Sequence, residues 1–189
     1  RKEYKLANEY MKSLQSDLEI DIKNLHFHDS INAEKIEEMT QLLILLKTNN
    51  QEEMLTINNY VSKAIRNTSF FHASKTTYES IKQGGQINII KDMQLKNELI
   101  SLYESQYEEL KISETILLED IRNRLEPIVM EQYDIIEFEI LNKDKLFDYR
   151  FANLVHKIIL DLSESAHYYK ESLAKCEEIK KRLQAKLDN

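Results

Sequence analysis

The chain has 189 residues but only two glycines and one proline, too few for the tight turns that an all-β or doubly wound fold requires. Charged residues make up 31% and the apolar set 42%, and Leu and Ile recur at helical spacing, which fits amphipathic helices and excludes a disordered chain. A net charge of −7 argues against a nucleic-acid partner, and a lone cysteine, Cys176, excludes an intramolecular disulfide and a Cys-based zinc site.

The fold class that follows is all-α: one helical domain over 1–189, an elongated, coiled-coil-like antiparallel bundle of three long helices and a shorter one. The first long helix is predicted at about 2–47. Tyr4, Met11, Leu18, Leu25, Asn32, Met39 and Leu46 repeat every seven residues. Ala7 and Leu14 fill the companion position early, and Ile22, Ile36 and Leu43 fill the next position along later, the drift of a 3.6-residue period against a seven-residue grid. At ~1.5 Å per residue such a helix spans roughly 65–70 Å. Its centre is weak, because Asp21, His28, Asn32 and Lys35 lie on or near the stripe, and a break at 29–32 is the alternative.

Thr48, Asn49 and Asn50 form the first turn. The shorter second helix is predicted at about 51–67, with Glu52 and Glu53 in its first turn and Met54, Ile57, Val61, Ala64 and Ile65 inward. A polar and aromatic loop around Phe70, Phe71 and His72 leads into a corner at about 76–91. There Thr76 or Thr77 caps a short helix, Gly84 takes the positive-φ position at its end, and Ile87, Ile89 and Ile90 plug the core. Asp92 caps the next long helix, about 92–133, whose stripe is Leu95, Leu99, Leu102, Gln106, Leu110, Leu117, Ile121 and Leu125. Pro127 breaks or kinks it, or starts a new helix as its first residue. Ile136, Phe138 and Ile140 alternate with glutamates, but a lone strand has nothing to pair with, so an irregular connector is expected. The last long helix covers about 143–187.

No chemistry-bearing motif survives scrutiny, and the chain reads as no enzyme, with no cofactor and no metal. His26 and His28 diverge by about 200° on a helix. His156 and His167 are too far apart to share an ion, and Glu164 with His167 is one half of a di-metal signature that needs two. Ser74 or Ser80 has only His72 nearby as a base. Gly84-Gly85 lacks the Lys-Ser/Thr of a phosphate loop. A ligand pocket, if the bundle holds one, falls at Tyr60, Phe70, Phe71, Tyr78, Gly84, Gly85 and Ile87.

Charge is distributed unevenly. The stretch 97–139 is strongly acidic, while Arg1, Lys2, Lys5 and Lys12 at one end and Lys170, Lys175, Lys180, Lys181, Arg182 and Lys186 at the other are basic. Solvated helix faces explain this, and so does a shared anionic surface.

The opening YKLANEYMKSLQSDLEIDIKNL, the central TYESIKQGGQINIIKDMQLKNELISLY, and Leu146-Phe147-Asp148 through Phe151-Ala152-Asn153-Leu154 resemble a Bacteroidota family of small membrane-anchored proteins of unknown function. Its members carry one N-terminal transmembrane helix, a polar junction and then a Lys/Arg-rich start to a long helix. The resemblance implies an anchor upstream of Arg1 and a periplasmic, extracytoplasmic domain, with the basic ends beside lipid head groups. It transfers no site residues. Narrow stripes on long helices point to a protein partner or a homo-oligomer, hence an interaction or scaffolding domain. The alternative is a sensory or small-ligand-binding bundle.

Overall fold

The structure, a computed structural model, describes residues 2–49, 51–66, 70–134, 136–137 and 139–188. Asn50, Asn67 and Phe138, named above in the first turn, at the end of the second helix and in the alternating stretch, lie outside the described residues. The chain is a helical bundle, 85% helical with 2% strand. It comprises α1 (Lys2–Lys47), α2 (Met54–Ala64), α3 (Thr76–Gln83), α4 (Met93–Ser101), α5 (Tyr107–Asp120), α6 (Glu126–Gln132), β1 (Tyr133–Asp134), β2 (Glu139–Ile140), α7 (Lys143–Leu146) and α8 (Tyr149–Leu187).

α1 is unbroken, and its seven-residue grid is stricter than the drift predicted. Buried positions run Leu14, Leu18, Asp21, Leu25, His28, Asn32, Lys35, Met39, Leu42 and Leu46, with Leu43 beside them, so the polar residues stay inward rather than yielding to Ile22 and Ile36. Those two are only partly buried. Each inward polar group has a partner in its own unit, described below, which is why the helix does not break at 29–32. Asn49 ends α1 in the left-handed conformation, φ 49°, a geometry Asn tolerates better than most residues.

The chain divides into two compact units, and the long helices contribute to both. The first comprises 1–29, 71–111 and 167–189. Its core joins Leu14, Leu18 and Leu25 of α1 to Tyr78 and Ile81 of α3, Leu95 and Leu99 of α4, and Cys176, Ile179 and Leu183 of α8. Side chains of this kind, fully buried, contribute about 1.5–3 kcal/mol each. α1 and α8 run antiparallel here: Gln15 Nε2 donates to Gln184 Oε1 at 2.6 Å, Lys180 pairs with Glu19 at 3.1 Å, and the His28 ring stacks on Tyr169.

The corner after α3 corrects one expectation. Gly84, φ −71°, is still right-handed; Gly85, φ +65°, takes the left-handed position. Gly85 N–H donates to Lys82 O and Gln86 N–H to Ile81 O at 2.9 Å, the paired closure of a Schellman motif. The helix ends at Gln83, and the positive-φ position falls one residue later than predicted. Neither Thr76 nor Thr77 caps it with a side chain; instead the Thr77 N–H donates to Asp17 Oδ2 of α1 at 3.3 Å. Ile90 is buried, with Ile87 and Ile89 partly so, and Asp92 caps α4 by accepting from Gln94 and Leu95 N–H. Gly85→Ala should cost about 1 kcal/mol of stability by chemical denaturation, although nothing crowds a Cβ there, because the cost is backbone strain alone.

The helix from Met93 to Gln132 is continuous, and Pro127 does not break it. Two π turns interrupt the α geometry, at Leu102–Gln106 and Ile121–Leu125, closed by Tyr107 N–H to Leu102 O and Glu126 N–H to Ile121 O. Proline cannot donate to the carbonyl four residues back and its ring collides with it; the wider turn just before Pro127 accommodates both. It also fits the spacing of Leu117, Ile121, Leu125 and Val129, all buried. Steps of four would drift by about 120° over twelve α-helical residues, and one residue absorbed in a π turn removes most of that drift.

The second unit comprises 30–70 and 112–166. Met39 and Leu42 of α1, Ile57 and Val61 of α2, Ile121, Leu125 and Val129, and Phe151, Val155, Ile158 and Leu162 of α8 share its core. Two further expectations are corrected. The alternating stretch does pair: Tyr133 and Asp134 form a short antiparallel ladder with Ile140 and Glu139. The last helix is two, because after α7 Asp148 begins a new helix, accepting from Arg150 N–H at 3.0 Å.

Candidate functional site

The densest polar chemistry in the first unit surrounds Asp21, an inward position of α1 with 0% exposure. A buried carboxylate needs donors, and three elements supply them. The segment 71–75 brings Ser74, whose N–H donates to Asp21 Oδ1 at 2.7 Å and whose hydroxyl adds a second bond. The first π turn brings Tyr107, whose hydroxyl donates to Asp21 Oδ2 at 2.7 Å. α8 brings Cys176, with its Sγ 3.0 Å from the same hydroxyl.

Aromatic rings enclose this cluster. Phe71 and Tyr103 both lie against Tyr107, and Tyr78 stacks on Tyr103 with centroids 4.5 Å apart. The Tyr78 hydroxyl donates to Glu104, which pairs with Lys82 at 2.8 Å, and Lys75 pairs with Glu108 at 2.8 Å. The π turn thus places Tyr103 and Tyr107 inward beside an outward Glu104 that reaches back to α3.

Burial governs the electrostatics. It raises the Asp21 carboxyl above its usual range, against the opposing hydrogen bonds from Ser74 and Tyr107. It pushes the Cys176 thiol up to about 12 and the Tyr103, Tyr107 and Tyr78 hydroxyls upward as well. A thiol so held is protonated at neutral pH. Ser74, weighed above as a nucleophile, is occupied by Asp21. The arrangement is a polar clamp that fastens 71–75 to α1, α5 and α8.

The seven pocket residues predicted from sequence are divided between the units. Phe71 and Tyr78 lie in the first core and Ile87 packs against it, while the corner glycines, Gly84 and Gly85, are exposed in the same unit. Tyr60 packs against the second core, and Phe70, half-buried, belongs to that unit. Phe71 packs against Tyr107 and Tyr78 against Tyr103. A cleft of about 560 Å³ in the first unit is lined by other residues, Met93, Gln94, Asn97, Glu98, Ser101 and Lys175. Asp21, Tyr103 and Tyr107 escaped the sequence reading as site residues. The one available signal was an acid at an inward heptad position.

The remaining titratable groups have structural surroundings. His26, His156 and His167 are exposed, and His167 pairs with Glu171 at 3.3 Å. Among the described residues no three His, Cys, Asp or Glu side chains are grouped to hold a metal. In the second unit, buried Lys35 donates to Arg66 O at 2.8 Å just past α2, and burial lowers its ammonium to about 8. Several basic groups near the end of α8 are paired: Lys180 with Glu19, Arg182 with Glu98 and Glu178, and Lys186 with Asp92. No helix among the described residues is long and apolar enough to cross a membrane.

Comparison with family models, with curated proteins and with solved structures finds no match to this chain.

Proposed function

We propose that this chain is a non-catalytic helical interaction or scaffolding domain, carried at a membrane by an anchor N-terminal to Arg1 and facing the extracytoplasmic side. The observation that supports the interaction role is apolar side chains left in water at helical register. Ile112 and Ile116 on α5, one turn apart, are 58% and 43% exposed. Neighbouring side chains at this spacing lie on one helix face, and burying them against a partner helix returns the free energy that exposure withholds. The occupant is a second copy of this chain or another helical protein. The membrane part rests on the resemblance of the opening and central segments to the anchored family.

The test is site-specific photocrosslinking from positions 112 and 116 in native membranes, combined with sedimentation of the domain. Ile112→Asp with Ile116→Asp should reduce association at least tenfold while leaving stability within about 0.5 kcal/mol, since both sites are exposed. A domain that stays monomeric at every concentration and yields no crosslinked partner sinks the proposal.

A further inference from the structure

Asp161 on α8 is buried in the second unit, and its two oxygens are served unequally. Lys157 donates to Oδ1, whereas Oδ2 is shut away from solvent without a donor. Asp120 at the end of α5 shares the same lysine: its Oδ2 lies 2.9 Å from Lys157 Nζ and its Oδ1 3.1 Å from Arg124. The two carboxyl groups are themselves within hydrogen-bonding reach. Two carboxylates cannot hydrogen-bond to each other unless one carries a proton.

We propose that Asp120 and Asp161 form a proton-binding site in which Asp161 holds the proton on Oδ2 and donates it to Asp120, latching α8 to α5. The charged groups around Asp161 are Asp120 from α5 and Lys157 from α8, with Arg124 of the π turn behind Asp120. From α1 the group at this level is neutral, the Asn32 amide, which donates to Leu162 O at 2.7 Å. Release of the proton to water leaves two anions sharing one ammonium. Burial raises the Asp161 carboxyl. Burial opposes the charge on Asp120 as well, but its contacts with Lys157, Asp161 and Arg124 outweigh that and hold it below the usual range.

The signs define a window. Stability from Asp161 is fully present below its unfolded pKa and is lost as pH rises through its folded value. Stability from Asp120 is present above its unfolded pKa and is lost as pH falls through its folded value. The latch is therefore tightest between the two folded pKa values, across the ordinary carboxylate range.

The experiment is a carbon-detected NMR titration of the aspartate side-chain carboxyls in the intact chain. Asp161 should titrate above and Asp120 below the ordinary midpoint of ~3.9. In Asp120→Asn the Asp161 midpoint should fall, because an amide N–H then stabilises its charged form. Asp161→Asn, which keeps a donor toward Asp120 at every pH, should lose less melting temperature than the parent as pH rises from the unfolded carboxyl value through the raised folded value of Asp161. An Asp161 midpoint unmoved by Asp120→Asn assigns its shift to burial alone and overturns the shared proton, as do two carboxyls titrating together near ~3.9 in the parent chain.

Discussion

Asp21→Ala should destabilise the first unit by about 2–4 kcal/mol, whereas Asp21→Asn should be close to neutral at pH 7. Alanine strands the Ser74 N–H and hydroxyl and leaves the Tyr107 hydroxyl with only the weak acceptor Cys176 Sγ. It also opens a void at a position with 0% exposure. Asparagine keeps the shape. Its carbonyl oxygen accepts from Ser74 N–H, and its amide donates to the Tyr107 oxygen, which then turns its own proton to sulfur. Urea denaturation reads the totals. Hydrogen exchange at the Ser74 amide reads the cause, because that proton should lose protection in the alanine variant and keep it in the asparagine variant. Equal losses in the two variants would mean that charge, not hydrogen-bond count, holds the clamp.

The pH dependence separates the same two variants. Because burial raises the Asp21 carboxyl in the folded chain, its contribution is fully present below the unfolded pKa and shrinks as pH rises through the folded value. Asparagine has no such loss. The stability of Asp21→Asn relative to the parent should therefore improve as pH rises from the unfolded carboxyl value through the raised folded one, a trend that Tyr107→Phe, which removes a donor to Asp21, should steepen in the parent background.

What the sequence discloses here is set by the reach of each interaction. The seven-residue recurrence along α1 and the cap at Asp92 are local, and both can be read from neighbouring residues. The clamp is not local. Asp21 finds its partners 53 and 86 positions away, and Tyr107 meets Cys176 across 69 positions. Nothing in the spacing of Ser74, Tyr107 and Cys176 announces that they converge. The same polar positions that argued for a weak or broken α1 are the ones tied to partners, so their inwardness was readable while their partners were not. The choice between Gly84 and Gly85 turns on which of them leaves the right-handed region after the helix, which two adjacent glycines cannot reveal. The second π turn was half legible, since the run of four-residue steps from Leu117 to Val129 fits no straight α-helix. The pairing of Tyr133–Asp134 with Glu139–Ile140 was missed because the first strand is only two residues long and follows α6 without a break.

Phe151→Ala should be the costliest single truncation in the second unit, at about 3–5 kcal/mol. Phe151 lies two residues into α8, where Asp148 O accepts its N–H at 3.0 Å, and it is 1% exposed. It shares a core with Leu146 before it, Val155 one turn later, Val129 of α6, and Met39 and Leu42 of α1. Removing the ring takes dispersion contacts from several elements at once, and a close-packed interior relaxes only partly into the gap. The cost corresponds to a fall in melting temperature of roughly 6–20 °C for a domain of this size. Hydrogen exchange should show the loss in the amides of α2, α6 and the first half of α8. Leu55→Ala is the control. Leu55 is as apolar and sits only two residues before buried Ile57 on α2, yet it is 85% exposed, so its truncation should stay within about 0.5 kcal/mol. Comparable losses from the two variants would place Phe151 outside the core.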